Sequence, residues 1–147
     1  MTTTSSSPAL QTVERFLEHI FRGETAQAMA LVAPQAAFVG ARAEGHPRIA
    51  FQGRFTGPEG AQRFFTAFGE ALEPGEFEIT GRFGEGEHAA LYGRLRHRSR
   101  ATGRDFASDW ALVCRVRDGQ LHFYHFYEDT AALEVALGVA PEAAIAA

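Results

Sequence analysis

The chain has 147 residues and a formal net charge of −4, with 46% hydrophobic and 22% charged residues. That is one domain's length, enough for a proper core, and the acidic balance gives no electrostatic footprint for nucleic acid. All 14 basic side chains are arginine, which excludes Schiff-base catalysis on lysine, and the single Cys114 excludes an intrachain disulfide.

The opening MTTTSSSPAL lacks the basic end and apolar stretch of a signal peptide, and no apolar run reaches membrane-spanning length. A cytoplasmic protein without membrane contact is expected. Residues 1–7 and the alanine-rich 139–147 are expected to be a flexible head and tail around a single domain at 8–138.

The first helix is carried by Leu10, Val13, Phe16, Leu17, Ile20 and Phe21, an apolar stripe at three- and four-residue spacing. Ser7 can cap it, Pro8 suits its first turn and Gly23 can stop it. A shorter helix is expected over 24–32, ahead of Pro34, and weaker strands near 36–41 and 48–55. A third helix spans about 58–72, with Phe64, Phe65, Phe68 and Leu72 on one side, until EPGE breaks it.

The period then changes to two. Phe77, Ile79 and Phe83 alternate with Glu76, Glu78 and Arg82, and strands follow at about 87–101, 104–117 and 120–128. Thr102–Gly103 and Asp118–Gly119 suit two-residue hairpin turns. Asp129 can cap a last helix that Gly138 closes. Helices first and long hairpins after them make an α+β fold.

These turns assign faces. Arg100 falls opposite Asp105, Arg96 opposite Asp109 and His97 opposite Ser108, a register that pairs unlike charges. One face then carries Leu91, Leu95, His97, Phe106, Ser108, Trp110, Leu112, Cys114 and Val116. Carried through the second turn, the register adds Leu121, Phe123, His125 and Tyr127 to that face, with His125 across from Leu112. His122, Tyr124, Phe126 and Glu128 go to the arginine face. There Tyr124 and Phe126 join Val113 and Ala111 in an aromatic patch, which predicts a homodimer packed through the outer sheet face.

The segments FTGPEGAQRFFTAF, ATGR, DWALVCRVRDGQL and FYEDTAAL, in this order across about 8–138, resemble the SnoaL-like and ketosteroid-isomerase-related proteins of the nuclear transport factor two-like superfamily. The resemblance implies a cystatin-like cone. In it a strongly curved, mostly antiparallel sheet wraps around three N-terminal helices, a short C-terminal helix follows, and a deep apolar pocket opens at one end. It also implies a dimer through the outer sheet face. Steroid isomerisation needs a carboxylate base and two acidic donors. The matching positions here are Phe16, Gly40 and Leu112, none of which can serve, so that chemistry is rejected.

The pocket-facing set offers His97 and His125 as acid–base residues near neutral pH. Trp110, Tyr127, Ser108, Phe16, Leu112 and Phe123 are the expected ligand contacts, suited to a small apolar or aromatic molecule. Both histidines can equally be hydrogen-bonded core residues. Should a bulge interrupt the register, Asp109 and Glu128 turn inward and become the acid–base pair; otherwise Asp109 is an outer ion-pair partner. His122 and His125 fall on opposite faces, and no clustered metal ligands are present, so neither metal nor cofactor is expected. GEGEHA precedes a strand rather than a helix, which removes it as a dinucleotide loop. Cys114 has only apolar neighbours in this pattern and is expected to be inert. Two functions stay open. One is cofactor-free isomerisation, cyclisation, dehydration or hydrolysis; the other is a ligand-binding or dimerisation domain without catalysis.

Overall fold

A computed structural model of the chain describes residues 7–140. Its elements run α1 (Pro8–Phe21), α2 (Thr25–Met29), β1 (Val32–Gly40), β2 (Gly53–Thr56), α3 (Gly57–Ala71), β3 (Leu72–Glu85), β4 (His88–Ser99), β5 (Asp105–Arg117), β6 (Gln120–Glu128) and α4 (Thr130–Leu137). The strands form one curved sheet in the order β2-β1-β6-β5-β4-β3, antiparallel except where β1 runs beside β6. Helix α1 lies across β3 to β6, and α3 lies on β1, β2 and β3. The expected α+β cone is the fold observed.

Local signals explain the helix ends. Ser7 Oγ accepts the Leu10 N–H at 3.0 Å, and Pro8 opens α1. Asp129 accepts the Ala132 N–H at 3.0 Å, and left-handed Gly138 closes α4. The Val139 N–H then reaches the Glu134 carbonyl at 2.9 Å. The rest of the expected head and tail, 1–6 and 141–147, lies outside the described residues. Helix α2 is shorter than its composition suggests because Val32 already belongs to β1. Pro34 fits that strand because the β1–β6 ladder is interrupted between Val32 and Ala37.

The hairpin between β4 and β5 departs from expectation by two residues. Arg98 pairs with Asp105, Arg94 with Asp109, Leu95 with Ser108 and His97 with Phe106. The connection is longer than two residues: the Ser99 N–H donates to the Arg104 carbonyl and the Gly103 N–H to the Ser99 carbonyl, both at 2.8 Å. A shift of two preserves parity. The inner face is therefore as expected, with His97, Phe106, Ser108, Trp110, Leu112 and Cys114 all buried.

Two β-bulges undo the parity elsewhere. The Asp118–Gly119 turn forms as expected, with both residues at positive φ, and Val116 pairs with Leu121. Arg115, however, pairs with Phe123, leaving His122 as an extra residue on β6. From there on every side chain of β6 changes face. Tyr124 and Phe126 are buried inside, while Tyr127 is 45% exposed on the outside. In β3, Ile79 pairs with Gly93 but Gly81 pairs with Tyr92, so Thr80 is the extra residue. Arg82 thereby turns toward α1, where it meets Glu14 at 3.4 Å, and Phe83 turns outward.

Candidate functional site

The interior of the cone is packed with rings from both layers. Tyr124 stacks on Phe38 at 4.5 Å and meets Phe16, Phe64 and Phe65 edge-on at 6.0 Å. Next to it, Trp110, Phe77 and Phe126 form a near-parallel cluster, with ring centroids 4.5 Å apart for Trp110–Phe77, 5.7 Å for Trp110–Phe126 and 6.4 Å for Phe77–Phe126. Such a lining is apolar enough that any unpaired polar group in it is costly.

Two polar groups are unpaired there. Trp110 and Glu128 are direct cross-strand partners and so share the inner face. The indole Nε1 of Trp110 and the carboxyl Oε1 of Glu128 are both sealed from solvent, and neither has a hydrogen-bond partner among the described residues. They do not bond to each other. Glu128 as a whole residue is only partly buried, but its Oε1 is sealed from solvent. Burial pushes this acid up from 4.5 to about 8, which keeps it neutral near pH 7.

Tyr124 sits four residues before Glu128 on the same inner parity. Its hydroxyl also makes no hydrogen bond within the described chain. Burial holds it well above the ordinary phenol range, with smaller contributions from Cys114 and Glu128. Cys114, directly across from Tyr124, is fully buried and its thiol is pushed upward by desolvation, so it is unreactive near neutrality. The interior thus offers an acid proton, an indole N–H and a phenol O–H.

The residues singled out by sequence separate into groups. Phe16, Trp110 and Leu112 lie in the interior as expected. His97 is buried, but its Nδ1 accepts the Gly75 N–H at 3.1 Å and its ring meets Phe68 edge-on. Desolvation lowers its pKa against an opposing backbone hydrogen bond at Arg96. No contact joins it to Trp110 or Glu128. Ser108 is buried too, with its hydroxyl committed: it accepts the Asp129 N–H at 3.0 Å and donates to the Asp109 carbonyl. That pair fixes the junction of β6 and α4.

His125, Tyr127 and Phe123 are on the outer face, a correction that the His122 bulge imposes. His125 lies across from Val113, not Leu112. It stacks on Tyr127 at 3.8 Å, and its Nε2 contacts the Ala41 carbonyl at 2.9 Å. It cannot reach a point that His97 also reaches from inside. The alternative acid pair divides: Glu128 turns inward, whereas Asp109 stays outside, 3.5 Å from Arg94 and 88% exposed. Tyr124, Phe126 and Glu128 are interior groups that the unbulged register assigned to the outer face.

Two surface grooves accompany this interior. One runs along the outside of α3 past Phe55, Glu59 and Arg63, away from Trp110 and Glu128. The other lies between α1 and β3 and is lined by Leu17, Phe21 and Ile79, with Glu14 and Arg82 at its rim. Among the described residues no group of histidines, cysteines and carboxylates could hold a metal ion. No described helix is long and apolar enough to cross a membrane.

Residues 13–124 match the SnoaL-like domain. The chain belongs to the SnoaL-like family. A curated relative, patulin synthesis protein F of Aspergillus clavatus, is 32% identical over 75 residues; the match covers 50% of this chain and 38% of that protein. The chain therefore matches well under half of that relative's length. Among solved structures, an NTF2-like protein from Burkholderia xenovorans superposes with a TM-score of 0.80 at 23% identity, covering 92% of this chain and 99% of that one. TerC, co-crystallised with polyporic acid, superposes with a TM-score of 0.77 at 15% identity, covering 90% and 99%. At those identities the shared property is the SnoaL-like fold.

Proposed function

We propose that this SnoaL-like protein binds a small, planar, oxygen-bearing organic molecule inside the cone and performs cofactor-free acid–base chemistry on it, with Glu128 as the proton donor. The observation that carries this reading is the pair of sealed atoms without a partner among the described residues, the Glu128 Oε1 and the Trp110 Nε1, on neighbouring strands of one inner face. Buried polar groups are normally paired, so a site that leaves two donors unpaired fits a ligand that brings the acceptor. An oxygen that gains negative charge during reaction would take hydrogen bonds from a neutral acid and an indole together, and such preorganised donors stabilise the transition state more than the ground state. Tyr124 supplies a third donor. Isomerisation, cyclisation or dehydration by way of an enolate, and hydrolysis by way of a tetrahedral intermediate, each develop charge on such an oxygen. TerC's co-crystallisation with polyporic acid agrees with an aromatic, oxygen-rich ligand for this fold.

A binding role without turnover is the second reading, and one observation favours it. Asp109 faces outward and the His97 Nδ1 is occupied by Gly75, so neither serves Glu128 as a second acid–base group. As a further part of the proposal, the outer sheet face forms a homodimer.

The test uses coumarin, a planar lactone whose carbonyl is the acceptor. Its affinity for the native protein should fall as pH rises through about 8, as Glu128 ionises, and Glu128→Gln should remove that pH dependence. Coumarin binding that is flat from pH 6 to 9 and indifferent to Glu128→Gln would remove Glu128 from the site.

A further inference from the structure

Trp110 is the chain's single tryptophan and is 3% exposed, yet one of its two flanking rings is not locked in. Phe126 is buried on β6, between β1 and β5. Phe77 is only partly buried and belongs to β3, the edge strand of the sheet. The β3–β4 ladder is irregular on both sides of it, between Glu73 and Glu76 and again between Ile79 and Gly81. Phe77 thus rides on a short paired segment with a break at each end and no strand beyond it. Bulges and edges are where sheets yield most easily.

The other neighbour of Phe77 is Phe21, at 5.1 Å between ring centroids. Phe21 is 56% exposed and lines the groove between α1 and β3. A row of rings, Phe21–Phe77–Trp110, therefore leads from open solvent to the indole whose N–H lacks a partner among the described residues, with Phe126 stacked against both Phe77 and Trp110. The Arg82–Glu14 pair ties β3 to α1 at the groove's rim. That contact exists only because the Thr80 bulge turns Arg82 inward.

We propose that Phe77 is the gate of the interior site: its ring swings off the Trp110 indole toward Phe21, and a flat conjugated ring arriving through the α1–β3 groove takes its place in the stack. The near-parallel arrangement of Phe77, Trp110 and Phe126 sets the class of occupant, a planar aromatic or quinonoid ring about the size of Phe77's own or larger. A puckered aliphatic ring does not match that slot. Phe77 is a positioning and access residue, since the hydrogen-bonding groups belong to Trp110 and Glu128. The inference rests on the interior site proposed above, and one arm of its test needs no ligand.

That arm is acrylamide quenching of Trp110 fluorescence in the full-length protein. Phe77→Ala should raise the quenching constant about fivefold or more, and Phe77→Leu, which keeps most of the packing, about twofold, as expected for a residue that controls access. Phe83→Ala, on the same strand but facing outward, should leave it unchanged. In stopped-flow mixing with coumarin, Phe77→Ala should raise the association rate constant about tenfold, the range over which conformational gating slows binding. Unchanged quenching and unchanged association in both Phe77 variants would overturn the gate. If coumarin fails to bind the native protein while quenching responds as stated, access through Phe77 stands and the ligand reading fails. The converse result, coumarin binding that is sensitive to Glu128→Gln but not to either Phe77 variant, retires the gate and keeps the site.

Discussion

Glu128 controls the chemistry because its charge state is set by where β6 places it. A carboxyl in that apolar interior holds its proton to about 8, against 4.5 in the unfolded chain. The folded pKa is the higher one. The group's stabilising contribution is therefore fully present below about 4.5 and is lost as pH rises through 8. Glu128→Gln removes the ionisable group and keeps its shape. Thermal melts should show the variant matching the native protein at pH 5 and exceeding it by several degrees at pH 9. His97 acts in the opposite direction: its lowered pKa withdraws stability as pH falls below 6.5, and both proteins share that slope. Equal melting curves for the two proteins at pH 9 would mean the carboxyl is hydrated.

At the scale of elements, the decisive feature is one extra residue. The LHFYHFY segment has apolar side chains on both parities, so its composition fits either face, and only the bulge at His122 selects one. That is why β4 and β5, whose apolar and charged residues alternate cleanly, were legible in sequence down to Trp110 inside and Asp109 outside. The outer half of β6 was not legible, since a bulge leaves no trace in a strand that is aromatic throughout. The same holds for β3, where Thr80 carries Phe83 outward and Arg82 inward. The helices were legible because their stripes and caps are local. Deleting His122 would force Tyr124 and Phe126 to the outer face. Each buried aromatic contributes roughly 1.5–3 kcal/mol, and their joint loss approaches the total stability of a small domain. The deletion variant should lose its cooperative thermal transition and its dispersed amide spectrum. A native-like melt would mean that the register is not fixed by this residue.

For the molecule as a whole, the two bulges build both faces at once. Inside they collect the donors around Trp110. Outside they bring Phe83 and Tyr127 to the surface beside Tyr92 and Val113; the four are 62%, 45%, 49% and 39% exposed and lie on four consecutive strands. Tyr92 lies over Gly81, filling the space its missing side chain leaves. The dimer expected from sequence was argued from Tyr124 and Phe126, which are buried inside the protomer. The exposed rings that replace them support the same proposal with different residues. The ion pairs Arg94–Asp109 and Arg96–Asp105 flank them, largely solvated and worth little alone. Tyr92→Glu with Tyr127→Glu should convert a dimer to a monomer in sedimentation velocity at micromolar concentration. A native protein that already sediments as a monomer contradicts the proposal.

The most direct measurement is the titration of the Glu128 side-chain carboxyl by carbon-13 NMR, assigned by its absence in Glu128→Gln. A neutral acid at pH 6.5 with a midpoint near 8 is the expected result. A midpoint near 4.5 would place this carboxyl in water and leave the interior of the cone without its proton donor.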